Sequence, residues 1–387
     1  MRPEIDAKSL YFDCFGEGSP HIATSHGRLE MLGNHTDHNH GLCLVAGASI
    51  GITSAFCPRQ DGYVKIKSEG YPPIEFPISD LDNHPNEKGT TKSLTRGVLA
   101  YLKEKGYEIK GFSAAMVSDI PSGAGVSSSA CYEALIGAIA SYLAGKAIDP
   151  LLLAKASQFA ENVYFGKPCG LLDQIGVCYG GVNYLDFKDP ENPLVEPLKW
   201  NLPFDIILIN QGKGHGKLTN LYASIPADMK EVAKTLFGKE YLRDVDPKLF
   251  LSTVSRPTPG VDERKKMRAQ HFFDENIRVL QSRRAILMGQ SEDFLDAVRR
   301  SQLSSQMYLG NTMVPGIYEG SMQQCIDFSL VHIGGGAIRI MGGGFGGSCI
   351  AFLPRNQSEG FLNNIARAYG PKAAYKVEIP EGGPKID

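Results

Sequence analysis

What this chain of 387 residues lacks narrows it before any motif is considered. No charge of one sign dominates: 40 Lys and Arg face 42 Asp and Glu, a formal net charge of −2, far from the basic excess that neutralises nucleic-acid phosphates. A nucleic-acid partner is not expected. No apolar run approaches the ~20 residues that span a bilayer, and the opening MRPEIDAKSLYFDCFGEG has no apolar segment behind its single arginine. Neither a membrane nor secretion is expected. Paired cysteine spacing is missing too: Cys14, Cys43, Cys57, Cys131, Cys169, Cys178, Cys325 and Cys349 stand singly among apolar neighbours, as buried thiols of a reducing compartment do. The expected location is cytoplasmic. A charged fraction of 21% and a hydrophobic fraction of 42% exclude disordered, collagen-like and coiled-coil chains.

At ~100 to 200 residues per domain, the length suggests two domains. The first half alternates β-like runs (HIATSHGRLEML, LVAGASIGITSAFC, YVKIKS, FSAAMVSDI) with helix-like stretches, the clearest at Ser127 to Leu143 and Leu151 to Tyr164. Proline and acidic turn residues gather in GGVNYLDFKDPENPLVEPLKW, placing the start of a second domain near Pro193. There a β-like run, FDIILINQG, is followed by amphipathic stretches to about Val331 and by GAIRIMGGGFGGSCIAFLP, which reads as strand, glycine turn, strand. Residues from Ile379 on read as a loose tail.

The 43 glycines are the one compositional excess, and they cluster. In DIPSGAGVSSSACYEALIGAIASYL, Pro121, Gly123 and Gly125 follow a β-like run, and Ser127, Ser128 and Ser129 open a helix. Glycines let the backbone approach a ligand, and a helix N-terminus offers unpaired N–H groups at the positive end of its dipole. Together they suit a phosphate, and a serine there can ligate the accompanying Mg²⁺. A tight turn capped by serines is the alternative. GKGHGK at 212–217 is one residue short of a P-loop, with Leu218 where Ser or Thr must hold Mg²⁺. GGGFGG at Gly342 to Gly347 precedes a strand pattern, not the helix that a dinucleotide turn requires.

A second cluster, HGRLEMLGNHTDHNHG, packs Arg28, Asn34, His35, Asp37, His38, Asn39 and His40 between glycines, a polar density that suits a ligand with many hydroxyls. Side-chain-to-backbone turns, or a zinc site from His35, Asp37, His38 and His40, are the alternatives. In QFAENVYFGKPCGLLDQIG, Glu161 and Asp173 stand in an apolar run, where a carboxylate needs a partner or a task.

These segments stand in a familiar order. GRLEMLGNHTDHNHG resembles the galactokinase signature, PSGAGVSSSA the second motif of the GHMP sugar and metabolite kinases, and MGGGFGGSCIAF their third. AENVYFGKPCGLLDQ is similar to the family's metal-glutamate and catalytic-aspartate segment, and RAQHFFDENIRVL looks like a galactokinase helix. The resemblance runs from about Ser25 to Leu353. It implies an α+β GHMP architecture: an S5-like βαβ domain over residues 1–192 with the sugar and ATP loops, and a ferredoxin-like domain over 193–387 with the third motif. It also implies that Asp173 takes the proton of a sugar's anomeric hydroxyl, with Arg28 beside it. Pro121, Gly123, Gly125 and Ser127 to Ser129 would wrap the ATP phosphates, and Ser129 (or Ser128) and Glu161 would ligate Mg²⁺. Asn34, His35, Asp37, Gly170 and Tyr222 would contact the sugar, and Gly343, Gly344 and Gly346 would floor the site.

The chain departs from that pattern where members usually have Glu for Asn34, Tyr for His38 and Gly for His40, and it lacks an arginine soon after Tyr222. These departures bear on the sugar. Galactose is the first expectation and galacturonate or an amino sugar the alternative, since the Asn34 amide both accepts and donates. A non-catalytic sugar sensor is a further alternative, but such relatives are degraded in the phosphate loop, and here Ser128, Ser129, Ala130, Glu161 and Asp173 are all present. The expected partners are the sugar and ATP, with a monomer favoured.

Overall fold

The computed structural model describes residues 3–210 and 218–387, so the GKGHGK segment at 212–217 lies outside the described residues. The described residues form twelve strands: β1 (His21–Leu32), β2 (Leu42–Arg59), β3 (Tyr63–Ser68), β4 (Ile74–Pro77), β5 (Gly111–Ser118), β6 (Val182–Asp186), β7 (Leu194–Leu198), β8 (Phe204–Asn210), β9 (Ala337–Met341), β10 (Ser348–Pro354), β11 (Ala374–Val377) and β12 (Lys385–Ile386). The helices are α1 (Pro3–Phe15), α2 (Thr91–Glu104), α3 (Ser128–Leu143), α4 (Pro150–Phe159), α5 (Leu172–Tyr179), α6 (Thr219–Phe237), α7 (Pro247–Val254), α8 (Glu263–Met288), α9 (Ser291–Ser304), α10 (Met322–His332) and α11 (Ser358–Tyr369).

The first sheet has eight strands in the order β12-β1-β2-β5-β3-β4, with β6 on the first part of β2 and β7 beside it; β3 runs parallel to β5 and every other pairing is antiparallel. The second sheet, β11-β8-β10-β9, is antiparallel throughout. Alternation along β8 sorts its side chains. Ile206 and Leu208 join Leu29, Leu44, Phe294 and Phe352 in a core between the sheets, while Ile207 and Ile209 pack under α10 and α11 with Ile326, Phe361 and Ile365. A third core lies between the first sheet and α2 to α5, through Phe112, Leu135, Ile139, Leu153 and Ile175.

The end of the chain is not a loose tail. Ala23 and Thr24 of β1 pair with Ile386 and Lys385, and Gly181 N–H donates to Pro380 O over 2.8 Å. Without β12 the long strand β1 would present an unpaired edge. Nor is the helix expected over Leu151 to Tyr164 continuous: α4 ends at Phe159 and a π-helical turn, Ala160–Phe165, carries Glu161. Among the described residues, no helix is long and apolar enough to cross a membrane.

Candidate active site

The loop after β5 is held by its carbonyls. Pro121 O accepts from Ala124 N (3.0 Å), Ser122 O from Asn210 Nδ2 (2.8 Å), and Gly123 O and Ala124 O from Ser348 Oγ (3.3 and 2.7 Å). Gly125 O accepts from Arg28 Nη1 (2.6 Å) and Val126 O from the Arg28 N–H (2.9 Å). With its acceptors engaged by protein donors, what this loop has left to offer a ligand is N–H groups, the pattern of an anion nest. Gly123, Gly125 and Ser127 all take positive φ (73°, 68° and 58°). For Ser127 that conformation costs ~1–2 kcal/mol. Ser127 does not cap α3 through its side chain; its hydroxyl donates to Asp173 Oδ2 instead. The serine-capped turn is therefore not what this loop builds.

Asp173 opens α5, with its side chain 39% exposed, beside the buried Arg28. Arg28 Nε donates to Asp173 Oδ1 over 2.8 Å, and Nη2 lies 2.8 Å from the same oxygen. Burial works against the charged carboxylate. The Arg28 charge and the hydrogen bonds from Arg28 and Ser127 override it and hold Asp173 below the ordinary aspartate range.

Two residues after Ser127, Ser129 Oγ donates to Glu161 Oε1 over 2.5 Å. Glu161 is 3% exposed, and Lys167 Nζ lies 3.4 Å from its Oε2. The Lys167 field also reaches Asp173 and Tyr222. A hydroxyl and a carboxylate side by side are the hard oxygen donors that Mg²⁺ takes in small number from protein. Deeper along α3, Glu133 is fully buried, and among the described residues neither carboxyl oxygen has a hydrogen-bond partner. Burial pushes its pKa well up, with the Glu161 charge adding to it.

The polar loop after β1 is braced from two sides. Asn34 is fully buried: its Nδ2 donates to Glu30 Oε1 (2.9 Å) and Gly342 O (2.6 Å), and its Oδ1 accepts from Asn311 Nδ2 (2.8 Å). Its amide is thus spent on protein groups. Helix α8 holds the backbone: Glu275 Oε1 accepts from Gly33 N (3.0 Å), His271 Nε2 donates to Asn34 O (2.9 Å), and Asn276 Oδ1 accepts from Leu42 N (2.7 Å). Burial opposes the Glu275 charge, but Arg278, His271 and Arg339 hold its carboxyl well below the usual range. His35 Nε2 donates to Gly343 O over 3.0 Å, which leaves Nδ1 as an acceptor, and burial, with the His38 field, lowers its pKa to about 3.

Asp37 sits against Gly170, where a Cβ would collide with its Oδ2. Tyr222 on α6 packs on Gly343, a Cβ at which would lie 2.6 Å from its ring. Gly344 abuts Asn311, and Gly346 is buried in the same turn. His40 faces elsewhere: it takes φ 62° and stacks on Tyr241 at 3.8 Å. His40 thus stands apart from the other three residues considered for zinc, and among the described residues no three His, Cys, Asp or Glu side chains are arranged to hold a metal. Glu30, Lys167, Asn311 and the buried Arg339, which reaches Glu30 at 3.2 Å, were not singled out from sequence. The one available signal was a lysine inside an acidic motif segment.

Comparison with known proteins settles the lineage. Residues 9–58 match the family model for the galactokinase galactose-binding signature, and residues 93–181 that for the GHMP kinases N terminal domain. The chain is 30% identical to the galactokinase of Limosilactobacillus reuteri (strain DSM 20016) over 97% of its own length and 98% of that protein, and 29% identical to the galactokinase of Glaesserella parasuis over 95% and 94%. It belongs to the galactokinase family. Lactococcus lactis galactokinase complexed with galactose superposes with a TM-score of 0.85, at 25% identity, covering 98% of both chains. Mevalonate kinase of L. major shares the fold alone (TM-score 0.64, 13% identity, covering 95% of this chain and 97% of that one). The α+β GHMP kinase fold follows, and with it a sugar kinase that uses ATP.

Proposed function

We propose that this sugar kinase transfers the terminal phosphoryl group of ATP to the anomeric hydroxyl of galactose. The observation that carries the reading is Asp173, held ionised by Arg28 and Ser127 where the phosphate loop meets β1. Asp173 accepts the hydroxyl proton as the new O–P bond forms and the bond from the terminal phosphorus to the bridging oxygen breaks, releasing ADP. Arg28 keeps Asp173 charged in the free enzyme and faces charge on the group in transit. The nest at Pro121, Gly123, Gly125, Ser127 and Ser128 holds the phosphates, and Ser129 and Glu161 hold Mg²⁺, which when bound neutralises phosphate charge. On the sugar side, Asp37, His35, Gly170 and Tyr222 face the hydroxyls over a floor of Gly343, Gly344 and Gly346. Asn34 acts through the protein as a brace. Residues 1–192 and 193–387 form two domains, with β7 and the last strand of the second joining the sheet of the first, and the protein works as a cytoplasmic monomer.

The test is ADP release from MgATP over a panel of galactose, galacturonate, N-acetylgalactosamine, glucose, arabinose and mevalonate. Galactose should give the highest kcat/KM. Preference for galacturonate, or no turnover with any of them, would overturn this reading.

A further inference from the structure

Lys167 has no part in the chemistry described so far. The chain turns out of the π-helical turn at Gly166 (φ 80°), and the N–H groups of Gly166 and Lys167 both return to Glu161 O, over 2.9 and 3.0 Å. This fold-back sets the Lys167 ammonium 3.4 Å from Glu161 Oε2, while its side chain stays 60% exposed. Beside Glu161, it is also close enough for its charge to act on Asp173 and Tyr222. As an ion pair with one exposed partner it contributes little to folding. An incoming triphosphate would change its surroundings: the Arg28 charge is shared with Asp173, and the exposed Lys167 ammonium beside Glu161 offers a second cation to the group to be transferred.

We propose that Lys167 is a further catalytic residue, which turns from Glu161 to the terminal phosphoryl oxygens of ATP and stabilises that group during transfer. The inference rests on the kinase reading above. In the step, the sugar oxygen bonds to phosphorus as the bond to the bridging oxygen breaks. The hydroxyl proton goes to Asp173, ADP carries off the bond's electron pair, and Lys167 keeps its protons throughout.

Two measurements on K167M and K167R test it: steady-state ADP formation with galactose and MgATP, and calorimetric affinity for ATP alone in EDTA. K167M should lower kcat by about ten- to a hundredfold and weaken metal-free ATP binding by about five- to tenfold, with K167R recovering part of both. Unchanged kcat or unchanged metal-free affinity in K167M would overturn the proposal. Should the unaltered enzyme phosphorylate no sugar, the kinase reading fails, and the metal-free affinity still decides whether Lys167 binds phosphate.

Discussion

The loop proposed for phosphate and the loop proposed for the sugar are built in opposite ways. In the glycine loop the backbone presents the donors: the carbonyls from Pro121 to Val126 are tied to Asn210, Ser348, Arg28 and the loop itself, and the amides remain. On the sugar side the polar side chains bind one another: Asn34 spans Glu30, Gly342 and Asn311, and α8 clamps Gly33 and Asn34 through Glu275 and His271. A phosphate is the same ligand in every kinase and needs only donors and a dipole. A sugar is told from its epimers by the placement of single hydroxyls, so its loop must be fixed from behind.

The largest expected effect lies where the halves meet. D173N should lower kcat by about 10² to 10⁴ while leaving ATP affinity intact. Because Asp173 is held below the ordinary aspartate range, its charged form is present above that range and is lost only as pH falls through the lowered value. The acid limb of kcat/KM should therefore lie below the ordinary aspartate range. A limb between about pH 6 and 7 would assign the base elsewhere.

Next comes the clamp. E275A leaves Arg278 without its partner (Nε to Oε2, 2.6 Å) and should cost about 3–5 kcal/mol, as loss of one member of a buried pair does. In the folded fraction it should weaken galactose binding and spare ATP. Asn34→Glu sets a second carboxyl against Glu30 and should cost about 2–3 kcal/mol in denaturant unfolding. The double variant Asn34→Glu with Glu30→Asn exchanges donor and acceptor and should recover much of that loss. Strictly additive costs would show that the two side chains are not coupled.

Gly125→Val is the mirror image of the clamp variants. A Cβ there lies 3.1 Å from Ser348 Oγ at a φ of +68°, so ATP affinity should fall about tenfold or more with galactose affinity unchanged. Loss of both affinities together would dissolve the distinction between the halves. The smallest effect is at Glu133, whose folded-state pKa is raised: its cost to the fold is absent below the unfolded pKa and grows as pH rises above it. E133Q should gain on the parent as pH rises from near 4 to 8 in chemical unfolding. A difference independent of pH would mean that the buried carboxyl does not titrate.

The same contrast explains what the sequence alone reveals. Gly123, Gly125 and the serines that follow are legible because a strand, a glycine turn and a helix start are contiguous. Asp173 and Glu161 are legible because a carboxylate in an apolar run needs a reason. The bracing of Asn34 is not, since its partners stand 4, 277 and 308 residues away. His40 has the polarity of the ligand loop, yet it spends its ring on Tyr241. The strand Lys385–Ile386 is too short to show any alternation, and only the unpaired edge of β1 explains it.

The most direct test of the central claim is ³¹P NMR of the product made from galactose and MgATP. Transfer to the anomeric hydroxyl predicts one new phosphomonoester resonance, split by the anomeric proton and formed in step with ADP, and growing about 10²- to 10⁴-fold more slowly with D173N. A resonance coupled to any other sugar proton, or ADP formed with inorganic phosphate alone, would contradict the account.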